Sequence, residues 1–506
     1  MKNITDNNPK ELRTIIYFFI FSFAIMLFAT TSSPLYTFNQ WDDVNIHFTI
    51  GKGLFNGRIH MVDLIDNKGP VIHLIYGLAW FIDSTGHTGV YVLLSLFLAL
   101  SMIHVYRMAL LFIKNDDLCL FIGILSSVPL LIFRRSSFLN SGGSIEEFTL
   151  CILTIALYYF TLYFVKAEVF SNRHIILLGM LFAAVFMMKF NLSTFFLGFL
   201  SVIFIKMLID KEWIFLFRSI LYFLCGTLMI IAPYLIYALI NKSLRNFIDI
   251  YFLLSSKYLM PEGTSFITKL SATFSNANLS LLHLAFVIIV IIGVVFAMRF
   301  INKWFSVGYS LSLIFLFFSI YLGDVYTYTH IPLFVFIPLL IITTGVAFEK
   351  LFPHFEIKGI VKITAVTVIF FAIILLNGLY KSDMFLHRSE PVQIRMAELI
   401  KTYAVDDSPT LLQAFGLDYG FYTASGIIPD EPYFTDLNIS HDVMPEIRNS
   451  RRDSVKYGKY EFVILPTGLD STPDPEYWTL DLYEHIAALE DDEGKLWHLY
   501  HRRFQI

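Results

Sequence analysis

From residue 15 to residue 379 the chain alternates apolar runs of about 20 residues with short polar joints. Coiled as an α-helix at about 1.5 Å per residue, each run reaches across the roughly 30 Å hydrocarbon layer of a bilayer. Lipid offers no hydrogen bonds, so a segment inside it must satisfy its own backbone groups, and a helix does. Runs at roughly 15–35, 88–112, 117–133, 148–165, 174–189, 192–209, 214–240, 281–299, 304–322, 331–348 and 360–379 predict about eleven spans. Composition agrees: 15% of residues are charged, where a soluble domain carries about 25%. The chain is a polytopic α-helical membrane protein. Its first run lacks a small-residue cleavage site and is followed by many more, so it reads as a retained helix.

A formal net charge of −4 gives no reason to expect nucleic acid as a partner. The cysteines, Cys119, Cys151 and Cys225, fall inside apolar runs, and three scattered thiols at lipid depth build neither a disulfide nor a zinc framework.

Orientation follows from charge. With a cytoplasmic N-terminus, Lys10, Arg13, Lys114, Lys166, Arg173, Lys211, Arg218, Arg299, Lys303, Lys350 and Lys362 all fall on the cytoplasmic side, as the positive-inside bias requires. That places two larger loops outside, 36–87 and 241–280, together with everything after residue 380, in a multi-pass protein of the cell membrane. Within the first loop, "VIHLIYGLAWFI" (71–82) is too short to span and suits a helix lying in or dipping into the interface. The transmembrane module thus covers 1–380. The tail 381–506 reads as a small extracytoplasmic α/β domain: "EPVQIRMAELIKTY" has helical periodicity with Ile394, Met396, Leu399 and Ile400 on one side. "PTLLQAF" and "YEFVILPT" read as buried strands, and "DDEGKLWHLYHRRF" as a closing hairpin.

On this topology the ionisable residues collect at the outer edge. The first loop holds Asp42, Asp43, Asp63, Asp66 and Lys68. The second outer joint, "RRSSFLNSGGSIEEF", holds Arg134, Arg135, Glu146 and Glu147. Lys189 ends the fifth span, and "YLGDVYTYTH" ends the ninth with Asp324 and His330. Arg134, Arg135 and Lys189 outside run against the positive-inside rule unless an anion needs them there. A phosphate is such an anion, held by lysine as a point charge and by arginine in bidentate fashion. Carboxylates beside it supply general-base capacity.

The stretch "WDDVNIHFTIGKGLFNGRIHMVDLIDNKGPVIHLIYGL" resembles the first outer loop of bacterial GT-C glycosyltransferases, and "GGSIEEF" is similar to a segment of their second outer loop. These membrane enzymes take sugars from polyprenyl-phosphate carriers; they include the lipid A aminoarabinose transferases and the protein O-mannosyltransferases. The resemblance implies a GT-C-like fold with a structured first loop. It also implies transfer of a sugar to a hydroxyl on a cell-envelope glycan, lipid or protein. It gives Asp42, at the head of the pair completed by Asp43, the role of catalytic carboxylate, and Lys68 that of the carrier-phosphate contact. Glu146 or Glu147 become acceptor or metal contacts, and a divalent cation, Mg or Mn, could share the leaving-group task without being demanded. Asp43 stands where several relatives carry Glu, and the histidine spacing departs from the O-mannosyltransferase pattern, which bears on sugar and acceptor more than on reaction class.

Plainer readings exist for each group. Asp42 and Asp43 also suit a solvated interfacial turn; Lys68 could snorkel to the headgroups; Asp63 and Asp66 could cap helices. Arg134 and Arg135 could bind anionic membrane lipid generically, and Glu146 and Glu147 are favoured by the dipole of a first helical turn. "GKG" at 51–53 lacks the remaining residues of a P-loop. Alternative functions are a flippase or transporter for the same lipid-linked sugar, or a polysaccharide polymerase.

Overall fold

Every apolar run expected to span is helical in the computed structural model of the chain. It describes residues 9–133, 142–254, 281–321, 326–353, 359–378, 390–437, 444–467, 480–492 and 494–503. Eight of these helices are long and apolar enough to cross a membrane; Asn172–Phe186 and Val287–Phe300 are shorter apolar helices. The expected span 117–133 is broken into Asp116–Leu125 and Val128–Phe133. The break falls at Ser126 and Ser127, whose hydroxyls donate back to the carbonyls of Gly123 and Ile124 (both 2.7 Å), just before the proline at position 129 removes a backbone donor. The span expected at 331–348 begins as a 3₁₀ segment, Thr327–Phe336, and turns α-helical at Ile337.

The chain divides into two compact units: Met1–Thr30, Val92–Tyr234 and Leu259–Tyr380 form one, and Thr31–Tyr91, Leu235–Tyr258 and Lys381–Ile506 the other. The first is the bundle of apolar helices. With no water to drive burial, such helices gain from close backbone approach and dense packing. Gly179 and Gly226 meet across two helices so closely that a Cβ on either would lie about 2 Å from a carbonyl oxygen of the other helix. Aromatic rings fill the interior, with Phe160 stacked on Phe199 at 4.5 Å and Tyr309 buried against Phe336 with its hydroxyl donating to the Phe336 carbonyl (2.8 Å). The bundle also holds an apolar cavity of about 800 Å³ lined by Phe160, Leu178, Phe204, Phe215, Phe223 and Phe315.

The second unit carries a four-stranded sheet of order β1-β2-β4-β3, with β1 Leu411–Gln413, β2 Phe462–Thr467, β3 Tyr483–Glu490 and β4 Leu496–Arg502. β1 and β2 are parallel and almost wholly buried, as their short apolar runs predict; β3 and β4 form the expected hairpin. The helix Val392–Tyr403 packs on the sheet, but through Val392, Met396 and Ile400; Ile394 and Leu399 are only partly buried. The loop 31–91 contributes two helices to the same unit, Asp42–Phe55 and Pro70–Trp80. Ile46, Ile50 and Leu64 of the loop join Val392, Met396, Leu411, Phe421, Phe434, Ile464 and Trp497 of the tail in one apolar core.

Candidate functional site

The helix Asp42–Phe55 organises the site, and its three faces explain its sequence. Ile46 and Ile50, one turn apart, enter the shared core. On a second face Gly51 touches the backbone of Pro70–Trp80: a Cβ there would sit 2.4 Å from the Gly77 nitrogen and 2.6 Å from the His73 carbonyl oxygen. The first glycine of "GKG" therefore serves helix–helix contact, and a side chain there would force the two helices apart. The third face is polar and buried. Asn45 donates to the carbonyls of Asn39 (2.9 Å) and Trp41 (2.8 Å). The Thr49 hydroxyl donates to Asp418 Oδ2 (2.7 Å), and Lys52 Nζ donates to the carbonyls of Tyr422 (2.9 Å) and Ile427 (2.8 Å). Asp418, Tyr422 and Ile427 are tail residues, so the loop helix is fastened to the tail by polar as well as apolar contacts.

Asp42 and Asp43 occupy the first turn of this helix, where its dipole favours negative charge. Both are half-buried, and Asp42 Oδ1 accepts the Asp43 N–H at 2.9 Å. Burial pushes the Asp42 carboxyl above the usual carboxylate range, against the pull of the backbone N–H groups of Asp43 and Asp42. The same effect pushes Asp418 up to about 6: burial outweighs its hydrogen bonds from Thr49 and the Gly420 N–H, and the Asp42 charge adds to the rise. Lys52 is driven the opposite way, down to about 7, by burial, with the Asp418 charge opposing. Desolvation raises both carboxyls, and a raised carboxyl is a stronger base once it has lost its proton.

Asp66 lies deep in the unit. Its Oδ1 accepts the Asn67 N–H (2.7 Å), its Oδ2 is 3.2 Å from His73 Nε2 and 3.8 Å from His47 Nδ1. Burial alone would raise its carboxyl, but the His73 hydrogen bond and the charges of Lys68, His73 and His47 together hold it well below the usual range. His73 Nδ1 in turn contacts His60 Nε2 at 2.9 Å. Asp63 accepts the Ile59 N–H (2.7 Å) and closes a turn; it does not cap a helix, as its plainer reading had it. Lys68 is half-buried and donates to the Asn67 side-chain oxygen, while Asn67 donates to the Leu437 carbonyl (3.0 Å).

In the helical bundle Glu146 and Glu147 open the helix Ile145–Val165. Both are buried. Lys189 Nζ reaches Glu146 Oε1 at 2.6 Å, so two residues expected at one edge do meet. Glu147 accepts the Gly143 N–H at 2.8 Å, while Ser144 Oγ accepts the Glu147 N–H at 3.2 Å, a reciprocal cap. Gly142 and Gly143 have φ of 72° and 113°, which explains the two glycines by backbone conformation. His330 Nε2 lies 2.8 Å from the Tyr321 hydroxyl. Arg134, Arg135 and Asp324 fall outside the described residues.

The sequence reading missed Asp418, Lys52, Thr49, and the histidines 47, 60 and 73. Only the buried polar stripe Asn45–Thr49–Lys52, at helical spacing, signalled some of them.

No protein-family model matches the chain, and no curated protein sequence matches it. Among solved structures the fold is similar to that of ArnT from Cupriavidus metallidurans bound to undecaprenyl phosphate. That likeness has 11% identity and a TM-score of 0.60, over 96% of this chain and 97% of that one. The apo state of the same protein gives 12% identity and a TM-score of 0.56 over the same shares. The GT-C-like architecture that the loop motifs imply is thus the architecture observed: apolar spans, a structured first loop and a small sheet-bearing tail.

Proposed function

We propose that the chain is a glycosyltransferase of the cell membrane, moving a sugar from a polyprenyl-phosphate carrier to a hydroxyl at the outer face. The observation that carries this reading is the Asp42 carboxylate. It heads a loop helix that is locked into the tail, it is pushed toward neutrality by burial, and the Lys68 loop belongs to the same unit. The similarity in fold to a protein solved with undecaprenyl phosphate supports the donor class. In this mechanism Asp42 takes the proton of the acceptor hydroxyl as its oxygen forms a bond to the anomeric carbon. The bond from that carbon to the phosphate oxygen breaks, the electron pair leaving on the polyprenyl phosphate, where Lys68 stabilises the developing charge. One displacement inverts the anomeric centre. Asp418, which accepts from Thr49, and Lys52 of the same helix, which donates to the carbonyls of Tyr422 and Ile427, fasten the helix that carries Asp42 to the tail. The apolar cavity in the bundle has the lining an isoprenoid or acyl chain requires.

Magnesium or manganese prefers a set of oxygen ligands. Glu146 is engaged by the Lys189 ammonium and Glu147 by the cap of its own helix. These residues do not fit such an ion, and no step passes through one.

The test is reconstitution of the purified protein in liposomes with labelled polyprenyl-phosphate sugars and candidate hydroxyl acceptors. Label transferred to acceptor supports the reading and identifies the sugar. Lipid moved across the bilayer with its glycosidic bond intact would overturn it in favour of a flippase, and chain extension of a lipid-linked glycan would identify a polymerase.

A further inference from the structure

The mechanism above leaves unused a cluster deep in the sheet-bearing unit: His47 on the loop helix, Asp66 in the following turn and His73 on Pro70–Trp80. All three are buried, and one potential ligand atom from each lies within 4.8 Å of the others. We propose that these three side chains form a binding site for a divalent transition ion of the zinc type.

Separations come first. Ligands at about 2.0–2.1 Å from a tetrahedral zinc stand roughly 3.3 Å apart. His73 Nε2 lies 3.2 Å from Asp66 Oδ2, already at that spacing, and His47 Nδ1 lies 3.8 Å from the same oxygen, too far for a hydrogen bond. The remaining pair, His47 and His73, is within 4.8 Å, so an ion between the three requires side-chain shifts on the order of an ångström. Donor chemistry comes second. Two imidazoles and one carboxylate suit zinc and its neighbours and do not suit magnesium or calcium, which want oxygen. The surroundings come third. A histidine that ligates through one ring nitrogen almost always donates its other N–H to a fixed acceptor. His73 ligating through Nε2 carries its proton on Nδ1, and His60 Nε2 stands 2.9 Å away to accept it. With the proton on Nε2 instead, His73 joins a hydrogen-bonded row from Asp66 to His60.

Three protein ligands leave one tetrahedral position for water. The ion would tie together the loop helix, the turn and the short apolar helix, and so fix the turn that carries Lys68, two residues beyond Asp66. Its role is positioning, since none of the three ligands takes part in the proposed displacement.

The experiment uses the full chain in detergent, stripped with a chelator, loaded with Zn(II), desalted and assayed for metal content. A parallel sample loaded with Co(II) is read by its visible absorption. The expected result is one retained zinc per chain and a tetrahedral cobalt spectrum. His47→Gln should weaken binding by about a hundredfold or more, and His60→Gln, one shell out, by about tenfold. His485→Gln, in the exposed histidine pair with His498, should change nothing. The thermal midpoint of metal-free His47→Gln is measured beside the wild type to confirm an intact fold. Failure of the wild type to retain zinc overturns the proposal. So does retention undiminished in His47→Gln, which would place the ion elsewhere. Either failure leaves the transferase reading standing, because metal content is measured without turnover.

Discussion

Asp42 and Asp418 in the sheet-bearing unit, and Glu146 and Glu147 in the helical bundle, are all sheltered from solvent, yet the protein treats the two pairs in opposite ways. Glu146 is matched by the Lys189 ammonium, and Glu147 caps its own helix through the Gly143 N–H. Asp42 and Asp418 are instead raised by desolvation, and Lys52, the cation that acts on Asp418, is itself pushed toward neutrality. A paired carboxylate is a fixed charge that holds structure or ligand. An under-compensated one is ready to accept a proton. The difference fits the proposed roles: Asp42 as the base, with Asp418 beneath its helix, and Glu146 and Glu147 as anchors.

The harshest way to break this comparison is Asp42→Asn. It should lower transfer by more than about a thousandfold while membrane insertion and thermal midpoint stay as they are; a comparable loss from Glu147→Gln with Asp42→Asn still active would reverse the assignment. Lys68→Ala should reduce kcat/KM about a hundredfold, with Lys68→Arg recovering part of it, measured in the same liposome assay. Next, Glu146→Gln and Lys189→Met should each destabilise the bundle by about 2–3 kcal/mol. Their double mutant should cost clearly less than the sum, which a thermal-denaturation cycle reads directly.

The smallest effect is in pH. The folded state holds the Asp418 proton more tightly than the unfolded chain does. Stability contributed by that group is therefore present at low pH and lost as pH rises from about 4 through about 6, a loss on the order of 3 kcal/mol at most. Lys52 has the reverse sign: the folded state binds its proton more weakly, so stability recovers as pH climbs from about 7 toward about 10. Hydrogen exchange across Asp42–Phe55 should be fastest between those limits. Asp418→Asn should abolish the fall on the acid side alone.

Much of this was legible in the residues. Apolar runs of spanning length can be little else than helices, because lipid leaves the backbone no other partner. β1 and β2 announced themselves as short buried runs, and Glu146 with Lys189 as charges stranded at one edge. What escaped were contacts between distant segments. Nothing around Thr49 points to Asp418, 369 positions later, and nothing in "GKG" points to the carbonyls of Tyr422 and Ile427. His47, Asp66 and His73 follow no ligand spacing that a single helix or hairpin would impose, since they sit on three successive elements. The break at Ser126 and Ser127 was hidden for another reason: hydropathy averages over a window and does not feel one missing donor.

The core shared by Ile46, Ile50 and Leu64 with the tail also sets an order of assembly. Ribosomes deliver the first loop early, and its apolar face must wait through some three hundred further residues, most of them threading into lipid, for the sheet that will cover it. A nascent chain halted between Lys68 and Val392 would own both side chains of the proposed displacement and still lack the tail residues that cover the loop. The proposed sugar transfer would thereby await the tail, and a nick or truncation within the tail should silence the distant loop as surely as a change within it.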